Sequence, residues 1–328
     1  MTKVVSGGKR MVWIDWMKAI GIYLVVLGHF FSVGEKFIYV FHVPLFFLIS
    51  GFLCKRETET VLFWKKIWYN LVIPMLIMTI LNFMISCIMH LLNGSFSPKD
   101  FYWFLRNVLF GMVSGFDSLW FVYTLFLLKI IYQYCSSNRL FYFFVAISLS
   151  LAYFYNTCDL SSCPFFMKEP NAIVNVCTAY PFFFFFLYIH NYKSALNEWT
   201  HRFLLIFTVI LGFALTYFSS YYNGCVGLYY CNYGGNMLWF LIGGLSGSIM
   251  IYAISKLCEC TPKIISVVSQ GTIIILGFHK LLITLIKNYY PESVCDVLFA
   301  ALIVLLFVPF IKAVEKYFPL MVGKYRIL

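Results

Sequence analysis

The sequence predicts an all-α, polytopic transmembrane helix bundle of about ten helices, and three observations predict it. Hydrophobic residues make up 62% of the 328-residue chain and charged ones only 11%, with a mean hydropathy of +0.85. A soluble chain of this length needs far more charge to keep its surface in water. The apolar residues fall in long runs, close to the roughly 20 residues that a helix needs to cross the hydrocarbon core. Lipid cannot satisfy backbone N–H and C=O groups, so a spanning chain is helical or a closed barrel. The runs are apolar on every face rather than alternating, which favours helices.

In order, the runs are 12–34, 37–54, 67–91, 118–135, 140–156, 173–190, 203–222, 237–257, 264–287 and 294–314. The first is interrupted by Asp15, Lys18 and His29, and no small-residue cleavage site follows. It is therefore expected to stay in the mature protein rather than to leave as a signal peptide. The second carries His42, Pro44 and Ser50-Gly51; the proline can kink the helix and the small pair admits a close neighbour. The third follows Lys65-Lys66 and holds Pro74. Between the third and fourth, the segment from Phe101 to Asn107, with Arg106, is too short and polar to cross. It reads as a helix lying at the interface or folding into the outer mouth, with Asp117 and Trp120 just after it. In the sixth, the Phe182–Phe186 run fills space, facing lipid or packing inside. Turn formers separate the runs at Asn93-Gly94-Ser95, Ser136-Ser137-Asn138, Asn223-Gly224 and Pro291-Glu292. No internal repeat and no long linker is visible, so residues 1–328 read as one integral membrane domain.

Placing the N-terminus inside and alternating the spans puts seventeen basic residues on inner segments and five on outer ones. That asymmetry is the positive-inside pattern. It predicts cytoplasmic termini for a multi-pass protein of the inner, or cytoplasmic, membrane. It also accounts for the formal net charge of +11 without a nucleic-acid partner. The outer loops then carry two close cysteine pairs, Cys158/Cys163 and Cys225/Cys231. An oxidising compartment permits a disulfide in each, and unpaired thiols fit the spacing equally well. Cys258-Glu259-Cys260 has no histidine nearby, so no metal site is expected.

Ionisable residues within a span are costly and usually functional. Lys18 and His29 are eleven residues apart, about three helical turns, so they share a face roughly 16 Å apart along the axis. Asp15 lies one turn before Lys18 and can pair with it. Two readings of this stripe stay open. A long anionic ligand such as an acyl-CoA can lay its phosphates on Lys18 and its reactive end beside His29. Alternatively, Lys18 snorkels to one interface and His29 merely reaches the other. His42 enters at a depth similar to His29, as a site residue or as an interfacial one.

These segments carry a family resemblance. Lys18-x10-His29, followed by Phe41-His42-Val43-Pro44-Leu-Phe-Phe-Leu-Ile-Ser50-Gly51-Phe-Leu, resembles the membrane-bound acyltransferase 3 family, in its fucose O-acetylase-like branch. Ser118-Leu-Trp120-Phe is similar to the family's Leu-Trp-Phe at an outer helix start. Ser269-Gln-Gly271-Thr-Ile-Ile-Ile-Leu-Gly-Phe-His279 is similar to its late Gly-x-x-Ser/Thr…His span. One departure is Lys65-Lys66 before Pro74, where many members have Arg-x-x-Arg; it supplies charge without the arginine fork. The resemblance implies transfer of an acetyl or other short acyl group from cytoplasmic acetyl-CoA to a hydroxyl of a surface glycan or lipid-linked saccharide. His29 would then be general base or acyl relay, with His42 beside it. Lys18, Asp15, Lys65 and Lys66 would hold the donor, and Arg106, Asp117, Trp120 and His279 the acceptor. Membrane lipids are the remaining expected partners. The competing class is a transporter or flippase of an anionic intermediate working through Asp15, Lys18 and His29; against it, no inverted symmetry is visible.

Overall fold

The chain folds as helices where the apolar runs lie, and a computed structural model describes residues 11–31, 34–112, 119–135, 138–158, 171–190, 201–290 and 295–323. The helices are α1 (Val12–Gly28), α2 (Glu35–Leu53), α3 (Thr60–Leu92), α4 (Lys99–Phe110), α5 (Trp120–Tyr134) and α6 (Asn138–Thr157). They continue as α7 (Ala172–His190), α8 (Arg202–Asn223), α9 (Met237–Leu257), α10 (Lys263–Gln270), α11 (Thr272–Tyr289) and α12 (Asp296–Tyr317). Among the described residues the only extended pairing is an isolated bridge between Gly227 and Asn232. Among the described residues six helices, α2, α3, α8, α9, α11 and α12, are long and apolar enough to cross a membrane. The other predicted spans are helical too, although α1 and α5, at 17 and 15 residues, fall short of a full crossing. The protein is an all-α, polytopic helix bundle.

Three predicted spans differ from the observed helices: the third starts at Thr60 rather than at 67, and the other two are the first and the ninth. The first ends at Gly28 rather than continuing to 34, with His29 as its C-cap. The ninth is broken into α10 and α11 at Gly271. Here α12 comes so close that a Cβ at 271 would overlap the Ile311 side chain. Within α3, residues Trp68–Val72 form a π turn, in which the N–H of Ile73 reaches back to the carbonyl of Trp68. Pro74 has no N–H to give to the Asn70 carbonyl, so the local ladder loosens where the wider turn sits.

Two hydrophobic cores share helices α1, α2 and α5. One draws on α6, α7 and α9, and the other on α3, α10, α11 and α12. Helix α1 is central, contacting α2, α9, α10, α11 and α12. The aromatic run turns out to be core: Phe182, Phe183 and Phe184 are buried, and Phe182 meets Phe240 edge-on at 5.5 Å. The Ser50-Gly51 seam packs as expected. A Cβ on Gly51 would collide with the Phe183 carbonyl, so α2 and α7 touch backbone to backbone. The α2–α3 linker is docked on the end of α5: Arg56 donates from Nε to the Tyr132 carbonyl (3.0 Å) and from a terminal nitrogen to that of Cys135 (2.5 Å).

The loop after α8 is also built rather than loose. Asn223 Nδ2 donates to the Tyr233 carbonyl (2.5 Å), and Asn223 Oδ1 accepts from the Asn236 N–H (2.7 Å). Asn156 Oδ1 accepts from the Tyr233 N–H (2.8 Å). Within this loop Cys225 and Cys231 are free thiols, so no disulfide joins them. The chain enters a left-handed turn at Cys231 (φ 52°), and that thiol is buried while Cys225 is exposed. Burial, with a smaller contribution from Cys177, pushes the Cys231 thiol well above its ordinary pKa. Cys158 is free and exposed; Cys163 lies outside the described residues.

Candidate active site

The Lys18–His29 stripe of α1 faces a cavity of about 650 Å³, within the range of small-molecule and cofactor sites. It follows the seam between the two cores. One end is lined by Asp15, Lys18, Asn70, Lys129, Ser269 and Gln270, and the other by His29, His42 and Trp120. Because α1 is unbroken from Val12 to Gly28, the lysine and the histidine sit about three turns apart along one wall. Asp15 is buried and accepts a hydrogen bond from Ser269 Oγ at 2.6 Å, tying α1 to α10. Asn70 reaches the cavity from the π turn.

A second cavity, of about 580 Å³, begins where the first ends. The two share four residues: His29, His42, Val43 and Trp120. Beyond them the second cavity is walled by Tyr39 of α2, by Tyr229 and Tyr230 of the loop after α8, and by α11. The shared histidines therefore stand at a junction, open to one cavity on each side.

Backbone bonds fix how these rings present themselves. Nδ1 of His29 lies 2.8 Å from the Val25 carbonyl, and Nδ1 of His42 lies 2.9 Å from that of Ile38. A carbonyl oxygen only accepts, so Nδ1 carries the proton in both rings and Nε2 keeps its lone pair. Neither Nε2 makes a hydrogen bond among the described residues. His279 is held in the same way by the Ile275 and Leu276 carbonyls (2.9 and 3.1 Å). Its bare Nε2 then lies 3.4 Å from His29 Nδ1 and shares that proton. The two rings meet edge-on at 4.8 Å. Tyr39 packs on His42 at 4.8 Å. A base held in one tautomer, with its free nitrogen at the junction, is equipped to take a proton from a bound hydroxyl.

The structure brings together Asp15, Lys18, His29, His42, Trp120 and His279, but not every candidate. Lys65 and Lys66 line neither of these cavities. Lys66 pairs with Glu57 at 2.7 Å, and Lys65 sits with Trp64 and Trp68 at a separate surface depression. Arg106 is buried on α4 under Trp103, its guanidinium 4.8 Å from that ring, away from both cavities. Asp117 lies outside the described residues. Lys129, Tyr39, Gln270 and the Tyr229–Tyr230 pair were not singled out from the sequence. For Lys129 a signal existed: it is a lysine nine residues into an apolar run that begins at Trp120.

The comparisons with known proteins come to one match. A family model described as an acyltransferase domain, that of the acyltransferase 3 family, matches residues 11–314. No curated protein and no solved structure matches the chain. The matched span runs from the start of α1 into α12 and contains every α-helix that lines the two cavities, and the chain belongs to the acyltransferase 3 family of membrane acyltransferases.

Proposed function

We propose that the protein transfers an acetyl or other short acyl group from acyl-CoA, held in the first cavity, to a saccharide hydroxyl entering from the second. The observation that carries this reading is the sharing of His29, His42 and Trp120 by two cavities that open to opposite sides of them. With the orientation read from the basic residues, the first cavity faces the cytoplasm and the second the outside. A cytoplasmic donor and an external acceptor then meet without either crossing the bilayer. Lys18 and Lys129, on different helices, supply positive charge for the donor's phosphates. The thioester end reaches the histidines about three helical turns away.

In the step itself, His29 Nε2 removes the acceptor hydroxyl proton as the oxygen attacks the thioester carbonyl. The C–S bond then breaks, and the imidazolium returns its proton to the leaving thiolate. The products are the ester and the free thiol of CoA. His279 holds the His29 ring in orientation through the shared Nδ1 proton. The Trp120 indole N–H makes no hydrogen bond among the described residues and is available to the oxyanion. The acceptor fits a surface glycan or lipid-linked saccharide, as the resemblance to the fucose O-acetylase-like branch implies. A transporter has less support, because the family is one of acyltransferases.

The test is a His29→Ala variant of the purified full-length protein, supplied with acetyl-CoA and membrane glycolipid. Transfer should fall by about 10²–10⁴-fold, the usual worth of a general base, while acetyl-CoA binding persists. A well-folded variant acylating at close to the wild-type rate would falsify the mechanism.

A further inference from the structure

The Lys18 end of the first cavity is completed by a segment that lies beyond the matched domain. After α12 the chain makes a 3₁₀ turn, Pro319–Val322, followed by Gly323, whereas the family match stops at residue 314. The turn is anchored. It contacts α3, α11 and α12, and Met321 is buried in the core that those helices share. Gly323 adopts a left-handed conformation (φ 66°), which suits a residue without a side chain. A Cβ there would stand 2.7 Å from the Asn70 carbonyl oxygen. The 3₁₀ turn therefore seats directly on the π turn of α3.

Both sides of this contact reach the cavity. Asn70 and Leu71 line it from the π turn, and Val322 lines it from the 3₁₀ turn. They add a primary amide and two aliphatic side chains to the end that carries Lys18 and Lys129. Ammonium groups suffice to attract phosphates, and neither an amide nor an aliphatic group adds to that attraction. A purine base uses both. Its flat faces gain from apolar contact, and its edge carries a donor and an acceptor side by side. An asparagine amide offers the complementary acceptor and donor, the pairing by which asparagine reads adenine. Gln270 is the other amide at this end, and its Nε2 already donates to the Ser266 carbonyl and hydroxyl (both 3.1 Å).

Resting on the transferase reading, we infer that the π turn and the Pro319–Gly323 turn together form the adenine subsite of the acyl-CoA donor. Asn70 takes the base edge, and Leu71 and Val322 take its faces. Gly323 is a positioning residue, because its lack of a side chain lets the two turns close on each other. The donor's phosphates then fall at Lys18 and Lys129, and its pantetheine arm runs along α1 to His29.

The test measures binding of two donors by the purified full-length protein: acetyl-CoA and its etheno-adenine analogue. The etheno bridge removes the donor from the base edge and leaves every phosphate and the thioester in place. The wild-type protein should bind acetyl-CoA about tenfold tighter than the analogue, the scale of one paired amide. Asn70→Ala should weaken acetyl-CoA by about that factor and the analogue by less than about twofold. Gly323→Ala should also weaken acetyl-CoA about tenfold. Gly94→Ala is its control, since Gly94 shares the left-handed backbone (φ 65°) and a Cβ there meets nothing within 4 Å; it should bind both donors as the wild type does. At saturating acetyl-CoA, transfer by Asn70→Ala and Gly323→Ala should stay near the wild-type rate, so that the loss appears in KM for the donor and not in kcat. Asn70 is exposed, so its alanine variant keeps the inference open to refutation even where Gly323→Ala fails to fold. The inference is overturned if the wild type binds the two donors equally, or if the preference survives in Asn70→Ala. An equal loss in Gly94→Ala overturns the role given to the 3₁₀ turn. Wild-type protein that binds neither donor would overturn the transferase reading itself.

Discussion

Four lysines separate by position, three of them expected as donor ligands from the sequence and Lys129 brought in by the fold. Lys18 and Lys129 line the first cavity from α1 and α5, whereas Lys65 and Lys66 lie off it and Lys66 already has Glu57. A charge-assisted hydrogen bond to a phosphate contributes roughly 1.5–3 kcal/mol, which is about ten- to a hundredfold in affinity. Lys18→Gln and Lys129→Gln should each weaken acetyl-CoA binding by that amount, and arginine at either position should recover part of it. Lys65→Gln and Lys66→Gln should stay within about twofold, as expected for partly exposed cations. Isothermal titration of the four purified variants checks the contrast; equal losses at all four positions would refute the assignment of Lys129. The two histidines beside this cavity differ in a way their residue type does not show. Only His29 has its Nδ1 proton shared with a second imidazole, which makes it the better-oriented base.

At the scale of elements, the site depends on helices that approach very closely or interrupt themselves. Gly51 lets α2 lie against the α7 backbone at Phe183, and this contact sets the wall on which His42 and Ser50 stand. A Gly51→Ala change places a methyl group where the Phe183 carbonyl sits. Overpacking of this kind typically costs about 1–3 kcal/mol, and it should appear as a lower midpoint of thermal unfolding in detergent. An unchanged midpoint would show that the two helices are free to separate. The loop after α8 is a second such element. With its chain tied down through Asn223 and Asn156, Cys231 is buried and Cys225 exposed. Iodoacetamide should therefore label Cys225 promptly without reductant. Cys231 should react only after unfolding, because burial both hides the thiol and disfavours its thiolate. A disulfide-linked peptide in non-reducing mass spectrometry would contradict this arrangement.

For the whole molecule, the orientation decides which cavity faces the cytoplasm. Cys225 precedes α9 and Cys260 follows it, and both are exposed. If the basic residues orient the bundle as they do in other membrane proteins, a membrane-impermeant maleimide should reach Cys225 in intact cells. Cys260 should be labelled only after permeabilisation, and a tag on either terminus should be accessible only from the cytoplasm. Labelling in the reverse order would exchange the roles of the two cavities.

The residues alone determined the helical class, the positions of the apolar runs and the Lys18–His29 stripe. These are short-range consequences of the chain: backbone groups in lipid must bond within their own helix, and the helical period aligns residues eleven apart. The motif-bearing histidines were legible for the same reason, because each sits in a contiguous stretch. Tertiary structure decided the rest. It set His279 against His29 across 250 positions of sequence, brought Lys129 and Lys18 to one cavity, and brought Tyr229 and Tyr230 to the second. It also left Lys65, Lys66 and Arg106 outside both cavities. Such outcomes depend on which helix faces meet, and that is set by close packing summed over many side chains, a property that no single segment contains.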